Sequence, residues 1–483
     1  MRHGHHPIGT IVTRWPGADT LRAVGLAAIA SASLHSPARA QSAVVLSTDF
    51  ATGYYSTLAL APPHGTSIAI ESTCADAVVR AHGNRVYSLG RFGCDHVQVI
   101  DAANGATLTE WSTGNGTNPQ DIEIFTSTKA YVSLFETDYV GIFNPETGAS
   151  LGQISLAGFS DADGLPETTE MVLVGNLLFV ALERLDRPGG FVASNPSYLA
   201  VVDCTTDQLV DVDPNTNGVQ GILLTGRNPL GELILDAVRQ KIVVAEVGNF
   251  GVQDGGAEFV DPVTLTAEGF FITETALGGD VNVVRLWTDC TGYAIVNDSS
   301  FNTNLVRFDW CTELVTSTCL ATTGFRLADV EIHTDGTIFL ADRALMNPGV
   351  RLFRAPGCSE ITTTPIGLGL PPQDIAFVLA DTPSSLPAPP RATSVELLPN
   401  RPNPFNPSTT LRFVAPAGEH VALEILDLRG RRVAGLWNGP VDGEKRVEWQ
   451  GRDARGRDVP SGVYVARLQG NTTTATRLLT LVR

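Results

Sequence analysis

Long apolar runs, lysine and the motifs of nucleotide chemistry are all scarce in this chain of 483 residues. Outside the N-terminal region no apolar run approaches about 18 residues, so the mature part is expected to contain no transmembrane segment. The sequence has no G-x-S-x-G elbow, phosphate-binding loop or dinucleotide fingerprint. Lys+Arg number 33 against 51 Asp+Glu, and this net charge of −18 argues against nucleic acid as the main partner.

Helical periodicity is also missing from the middle of the chain, where short β-rich segments recur instead. Their starts are 44 to 65 residues apart, and each segment follows another short strand. A repeat near 45 residues with four strands is typical of a β-propeller blade. The recurring segments are Asn84–Arg91, Lys129–Glu136, Asn176–Arg184, Lys241–Gly248, Gly292–Asp298 and Gly336–Arg343.

The two ends of this region complete each other. Val44–Phe50 has the pattern of a second strand with no first strand before it, and Asp374–Val378 is a spare first strand. Joining them removes the last open sheet edge. The sequence therefore predicts an all-β fold with a seven-bladed β-propeller over residues 41–380. The longest interval carries inserts at Asp186–Pro196 and Asp211–Arg227, which are predicted to form loops on one rim.

The pattern resembles the YncE/lactonase-type seven-bladed propellers. The resemblance covers about 340 residues and includes the repeated sequences NPQDI (118–122) and PPQDI (371–375). It implies a propeller fold and leaves the function open, because propellers serve many functions.

The N-terminus is typical of an export signal. Arg14 and Arg22 precede the apolar stretch Ala23–Leu34, and Ala38-x-Ala40 is a small-residue cleavage pattern. Residues 1–40 are therefore predicted to be a signal peptide; a buried helix is the alternative. Cleavage after Ala40 places the mature chain in an oxidising compartment.

Seven cysteines make an odd set, so at least one is unpaired or pairs between molecules. Cys74 and Cys94 bracket an antiparallel strand pair, and Cys290 and Cys311 lie in successive turns on one rim of a blade. Both pairs are candidate disulfides, with separate buried thiols as the alternative. The partners of the other cysteines stay open.

The C-terminal part differs from the propeller in charge. Residues 41–392 carry a net charge of −25, whereas residues 393–483 carry +4. The Pro- and Ser-rich stretch 381–392 between them has the composition of a semi-rigid linker. Val421, Leu423 and Ile425 alternate with polar residues, as strands of a small β-sandwich do.

Residues 398–483 resemble the FlgD-type immunoglobulin-like domain and equally the C-terminal sorting domain of type IX secretion substrates. The resemblance implies contact with a secretion machinery and a location outside the cell or on the outer-membrane surface of a bacterium. A purely structural sandwich is the alternative. The sorting-motif residues are Pro402, Asn403, Pro404, Phe405, Asn406, Gly462 and Tyr464.

Five aspartates begin the first strands of the blades, where side chains face the central channel. Together they could hold a hard cation such as Ca²⁺ or supply a general base. Alternatively each carboxylate accepts hydrogen bonds from turn amides of its own or the next blade. These residues are Asp76, Asp121, Asp280, Asp329 and Asp374.

These features predict an exported or surface-displayed propeller that acts as a binding or scaffolding module. Its ligand, on the rim formed by loops 186–197 and 248–257, would be a glycan, a protein or a small molecule. The alternative function is a lactonase-like hydrolase or lyase that uses the channel carboxylates. No catalytic residue and no certain cofactor are predicted, Ca²⁺ being the one candidate.

Overall fold

The computed structural model describes residues 42–287, 290–378, 395–397, 400, 405–470 and 474–483. The predicted signal peptide with Ala38 and Ala40, the linker 381–392, and Pro402 to Pro404 lie outside the described residues. Strands form nearly all of the regular structure, with one 3-10 turn (Ala157–Phe159) and one short helix, α1 (Glu274–Leu277), among the described residues. No described helix has the length and apolar character needed to cross a membrane.

The described residues between 42 and 378 form seven antiparallel sheets, six with four strands and one with five. The first half comprises β1 (Ser42–Thr48), β2 (Gly53–Ala59), β3 (Thr66–Thr73), β4 (Ala77–His82), β5 (Arg85–Gly90), β6 (His96–Asp101), β7 (Thr107–Ser112), β8 (Pro119–Thr126), β9 (Lys129–Leu134), β10 (Tyr139–Phe143), β11 (Ser150–Ser155), β12 (Thr168–Val174), β13 (Leu177–Leu182), β14 (Tyr198–Asp203), β15 (Gln208–Leu209) and β16 (Ile222–Leu223). The second half comprises β17 (Ile234–Asp236), β18 (Lys241–Glu246), β19 (Gly256–Asp261), β20 (Thr266–Thr273), β21 (Asp280–Leu286), β22 (Thr291–Asn297), β23 (Thr303–Asp309), β24 (Leu314–Ala321), β25 (Leu327–Ile332), β26 (Thr337–Asp342), β27 (Gly349–Arg354), β28 (Ser359–Glu360) and β29 (Pro372–Val378).

Strands that follow one another in the chain make up sheets 1 to 6, whereas sheet 7 combines the last of these strands with the first three. We number the sheets by their position along the chain: sheet 1 (β4–β7), sheet 2 (β8–β11), sheet 3 (β12–β16), sheet 4 (β17–β20), sheet 5 (β21–β24), sheet 6 (β25–β28) and sheet 7 (β29 and β1–β3). In every sheet the strands hydrogen-bond in this order, so the first strand lies at one edge; β16 adds to β14 of sheet 3.

The second strand of each sheet is apolar on both faces. β13 (LLFVAL) and β26 (TIFLAD) are buried along nearly their whole length, whereas the outer strand β11 (SLGQIS) is mostly exposed. A continuous apolar run is what a strand needs when neighbours cover both of its faces. Each sheet is therefore packed between two others near its first strands and meets solvent at its fourth.

Apolar clusters join the sheets in a cycle. One cluster lies between each pair of consecutive sheets, and another lies between sheet 7 and sheet 1. In that last cluster Val44 and Leu46 pack with Val79 and Val86. This repeated packing of four-stranded sheets is propeller-like.

The predicted pairing between the two ends of the region is confirmed. β29 runs antiparallel to β1, with Val44 opposite Ala376 and Leu46 opposite Asp374. Sheet 7 thus takes its first strand from the end of the region and its other three from the beginning. The six recurring segments also coincide with β5, β9, β13, β18, β22 and β26.

The C-terminal residues form one further five-stranded sheet, in which the long strand β31 pairs with three others. Val421, Leu423 and Ile425 alternate into a single apolar cluster, as their period-2 spacing predicts. The strands are β30 (Glu396–Leu397), β31 (Thr409–Leu426), β32 (Arg432–Trp449), β33 (Gly462–Gln469) and β34 (Thr474–Leu481).

Candidate functional site

Arg80 lies among carboxylates from four other sheets. It projects from β4, and its guanidinium nitrogens are 2.6 Å from Asp121, 2.6 Å from Glu170, 3.0 Å from Glu232 and 3.6 Å from Asp374. These partners belong to sheets 2, 3, 4 and 7, so one side chain links first-strand regions that are far apart in sequence.

Arg285 makes a second centre in the same network. It projects from β21 and forms ion pairs with Glu232 and Glu331, with Asp329 at 3.8 Å. Glu232 contacts both arginines and so joins the two centres. Every one of the seven sheets contributes a charged side chain to this channel network.

Carboxylates outnumber guanidinium groups in the network, and burial raises the pKa of several of them. Burial, followed by the charge of Asp121, raises the pKa of Glu123 to about 8, and burial raises that of Asp374 to about 6 although Arg80 opposes it. Glu232 is the exception: burial opposes ionisation, but Arg285 and Arg80 together lower its pKa. The network therefore holds protons at neutral pH.

Three of the five predicted aspartates belong to the network. Asp121, Asp329 and Asp374 each also accept a backbone N–H from the first strand of the next sheet. The donors are Met171 (2.7 Å), Ile375 (3.0 Å) and Val79 (2.7 Å), respectively. The three carboxylates thus link neighbouring sheets through amides of first strands, whereas the alternative named turn amides.

The other two predicted aspartates lie elsewhere. Asp76 pairs with Arg91 at 2.6 Å, and Asp280 accepts the N–H of Gly251 at 2.6 Å. Among the described residues, one group of three potential metal ligands has its ligand atoms within 4.8 Å of one another: Cys290, Asp309 and Cys311. Both of its thiols are used in a disulfide.

Sequence reasoning missed both arginines and the glutamates of the channel. Asp121/Glu123 and Asp329/Glu331 are two residues apart, and strand side chains of that spacing share a face. This spacing was an available signal for the glutamates. For Arg80 and Arg285 the sequence places each on a first strand, but the partners come from other sheets.

A second feature is a set of exposed phenylalanines on the loops between second and third strands. We call these loops the rim; they comprise residues 49–52, 91–95, 135–138, 183–197, 247–255, 298–302 and 343–348. Five rim phenylalanines are between 44% and 73% exposed, and Leu345 and Met346 extend from the rim loop of sheet 6. The five are Phe50, Phe92, Phe191, Phe250 and Phe301.

Four of these phenylalanines have a left-handed backbone. Their φ angles are 66° at Phe50, 41° at Phe92, 62° at Phe191 and 59° at Phe301. Bulky L-residues rarely adopt this region, whereas glycine and asparagine adopt it easily. A strained, exposed aromatic residue that recurs on the same connection of several sheets indicates a functional surface.

Backbone hydrogen bonds place each rim loop beside the start of its sheet's first strand. Arg91 donates to Asp76, Val247 to Asn228 and Arg343 to Arg326. Thr48 in turn donates to Pro371, the residue before β29.

Neighbouring rim loops also contact one another. The guanidinium of Arg187 lies over the rings of Phe135 (5.2 Å) and Phe191 (5.5 Å). Asn249 accepts the N–H of Ala193 at 2.9 Å. The Phe301 ring is 6.0 Å from Phe325, which lies just before β25. These contacts join the rim loops of sheets 2, 3 and 4, and they join the rim loop of sheet 5 to the segment before β25.

Both candidate disulfides are present. Cys74 is bonded to Cys94 and Cys290 to Cys311. A third bond, Cys319–Cys358, joins sheet 5 to the turn before β28 of sheet 6, and Cys204 is a buried free thiol. Reasoning within single blades could not find a bond that links two of them.

Two of the four described residues of the sorting motif are in the C-terminal core. Phe405 is buried against Trp449, with ring centroids 5.5 Å apart, and Tyr464 meets the same indole edge-on at 5.2 Å. The Tyr464 hydroxyl donates to the Pro460 carbonyl at 2.7 Å. Asn406 is exposed, and Gly462 begins β33.

No protein-family model matches this chain, and no curated protein matches it in sequence. Several solved structures are similar to it at low sequence identity. An AztD from Citrobacter koseri is 12% identical with a TM-score of 0.43, covering 70% of this chain and 98% of that one. A functionally unknown protein from Desulfotomaculum acetoxidans is 11% identical with a TM-score of 0.48, covering 70% and 99%.

A surface component of the type IX secretion system, PorZ from Porphyromonas gingivalis, is 12% identical with a TM-score of 0.38. The match covers 89% of this chain and 64% of PorZ. Similarities at this level concern the fold alone.

Proposed function

We propose that this chain is an exported, surface-displayed binding module built on a seven-bladed propeller. The seven sheets and their seven shared apolar clusters support the blade count. A signal peptide at 1–40 and a C-terminal FlgD-type or type IX sorting sandwich at 393–483 would deliver it to the cell surface. The three disulfides fit an oxidising location.

The rim is the proposed binding surface, and the repeated left-handed phenylalanines are the observation that supports it most. Soluble proteins seldom expose a large contiguous apolar patch without using it for binding. The predicted loops 186–197 and 248–257 contain Phe191 and Phe250, so the rim includes the surface expected from the sequence and extends it to further sheets.

Site-specific photo-cross-linking tests this function. Phe250→p-benzoylphenylalanine places the probe on the rim, and Val238→p-benzoylphenylalanine places it at a still more exposed position, in the turn between β17 and β18 at the other end of sheet 4. We expect covalent adducts from the rim position on intact cells and none from the control. No adduct from either position, or equal yields, would contradict the proposal.

Delivery by the C-terminal domain is tested by fractionation. We expect a chain lacking residues 393–483 to accumulate inside the outer membrane, and the full chain to reach the cell surface. Equal surface exposure of both forms would leave the domain a structural sandwich.

The channel supports a second candidate, a hydrolase or lyase, through the raised pKa values of Glu123 and Asp374. Such groups can serve as general acids near neutral pH. Hydrolysis of a lactone panel that disappears in Glu123→Gln would establish it. Activity that is absent, or unchanged in this variant, would exclude a role for Glu123.

A further inference from the structure

We infer that the partner of the rim is the rim of a second copy of this chain, bound face to face. This inference rests on the proposed function and adds the identity of the partner. It depends on three properties of the rim: its apolar area, its unpaired charges of both signs, and its recurrence from sheet to sheet.

The apolar area is that of a protein interface. Aromatic side chains bury about 150–250 Å² each, so side chains exposed by roughly half to two thirds offer on the order of 100 Å² apiece. Together the rim residues and Phe325 offer roughly 800 Å², which is about the area that each partner contributes to a standard interface. The side chains counted are Phe50, Phe92, Phe191, Phe250, Phe301, Phe325, Leu345 and Met346.

The charges on and beside the rim suit a second copy. Exposed Arg227 donates to the Ala193 carbonyl and has no carboxylate partner among the described residues. Asp49 and Asp254 are exposed on rim loops, and within the described parts of the chain they accept only hydrogen bonds from their own loops. A surface with free charges of both signs can meet itself without like-charge opposition.

Recurrence also favours a face-to-face pair. A phenylalanine with a left-handed backbone lies on the loop between the second and third strands in sheets 1, 3, 5 and 7. A surface that repeats from sheet to sheet can oppose apolar residues to apolar residues of an identical surface, as an isologous interface requires. An anionic membrane is disfavoured, because residues 41–392 carry a net charge of −25.

The variants exploit the left-handed backbone. Asparagine tolerates positive φ, so Phe191→Asn with Phe301→Asn removes apolar area while leaving the loops unstrained. The matched control is Val238→Asn with Val263→Asn. These two exposed valines lie on the opposite-end turns of sheet 4, outside the rim.

Sedimentation equilibrium of the full chain is the experiment, with thermal melts confirming that both variants fold. We expect the wild type and the control to be dimers. The dimer dissociation constant of the rim variant should be at least about 100-fold higher. Association should strengthen with added salt, because salt screens the net charge of −18.

A wild type that stays monomeric at about 100 μM, or a dimer that the rim variant leaves unchanged, overturns the inference. Cross-linking from position 250 separates this failure from that of the proposed function. If adducts form only with other molecules, a second copy is not the partner, but the proposed binding function is retained. Absence of any adduct contradicts both.

Discussion

At the scale of single residues, the channel shows how two arginines hold an acidic ring together. Each guanidinium satisfies carboxylates from several sheets at once, and Glu232 is shared between them. Breaking a buried ion network by removing one member is strongly destabilising, because the remaining charges lose their counter-ion.

Arg285→Met tests this dependence. The side chain is 6% exposed, and its loss leaves Glu331 without its cation and Glu232 with Arg80 alone, so we expect a loss of about 3–5 kcal/mol in unfolding free energy. Urea unfolding measures it. Arg354→Met, at a half-exposed residue 3.8 Å from Asp335, should cost less than about 1 kcal/mol. Similar losses in both variants would refute the special role of the channel.

Glu246 gives a pH-dependent prediction. It is fully buried, and burial followed by contact with Glu258 raises its pKa well above the usual value. Because the folded-state pKa exceeds the unfolded one, stability is lost as the pH rises above about 4.5. Glu246→Gln should therefore be more stable than wild type at pH 8 by about 1 kcal/mol or more, the value of one pKa unit.

Thermal melts from pH 4 to pH 8 measure this difference. The control is Glu110→Gln, at a carboxylate that is 56% exposed. It should parallel the wild type throughout. A Glu246→Gln protein that loses stability at pH 8 would show that the carboxylate form is the stabilising one.

At the scale of elements, a strand is predicted well from the sequence where its own pattern of apolar residues is enough to identify it. The doubly buried second strands are continuous apolar runs, and the unpaired pattern near Val44 led to its partner near Asp374. Contacts between side chains of different sheets were not predictable. Arg80 with its four carboxylates and the Cys319–Cys358 bond both depend on how blades adjoin.

The rim was predictable from the sequence only in part. Two of its loops were expected as a binding surface, and for the loop at 186–197 the signal was an insertion, because insertions lie on loops. The shorter loops with Phe50, Phe92 and Phe301 carry no insertion, and a single phenylalanine in a turn gives no signal of exposure. That they lie on equivalent loops is seen only when the seven connections between second and third strands are compared.

The pairing of β29 with β1 yields a prediction about closure. Ala376→Pro removes a backbone N–H opposite Val44 in the joint between the ends of the region. We expect a loss of at least about 3 kcal/mol, seen as one cooperative transition because sheets 6 and 1 lose a packed neighbour too. Ala376→Ser, which keeps the N–H, is the matched control. If Ala376→Pro loosens only the β29–β1 pair and leaves the main unfolding transition unchanged, closure by this strand is contradicted.

At the scale of the whole molecule, acidic charge is concentrated where all seven sheets meet. The network joins residues from across 300 positions of sequence, so its protonation state bears on the entire ring rather than on one blade. Such coupling makes the stability of the seven sheets a function of pH.

We expect the unfolding free energy to fall from about pH 4 to about pH 8. Glu123 and Asp374 have folded-state pKa values of about 8 and about 6, above those of unfolded chains, so the folded state retains protons that the unfolded state has released. Each retained proton lowers stability by about 1.4 kcal/mol per pH unit within that window. Urea midpoints along the pH series measure the slope. Glu123→Gln should flatten it between pH 6 and pH 8, since glutamine cannot ionise. A wild-type midpoint that is constant or rises with pH would mean that the arginines keep every channel carboxyl ionised.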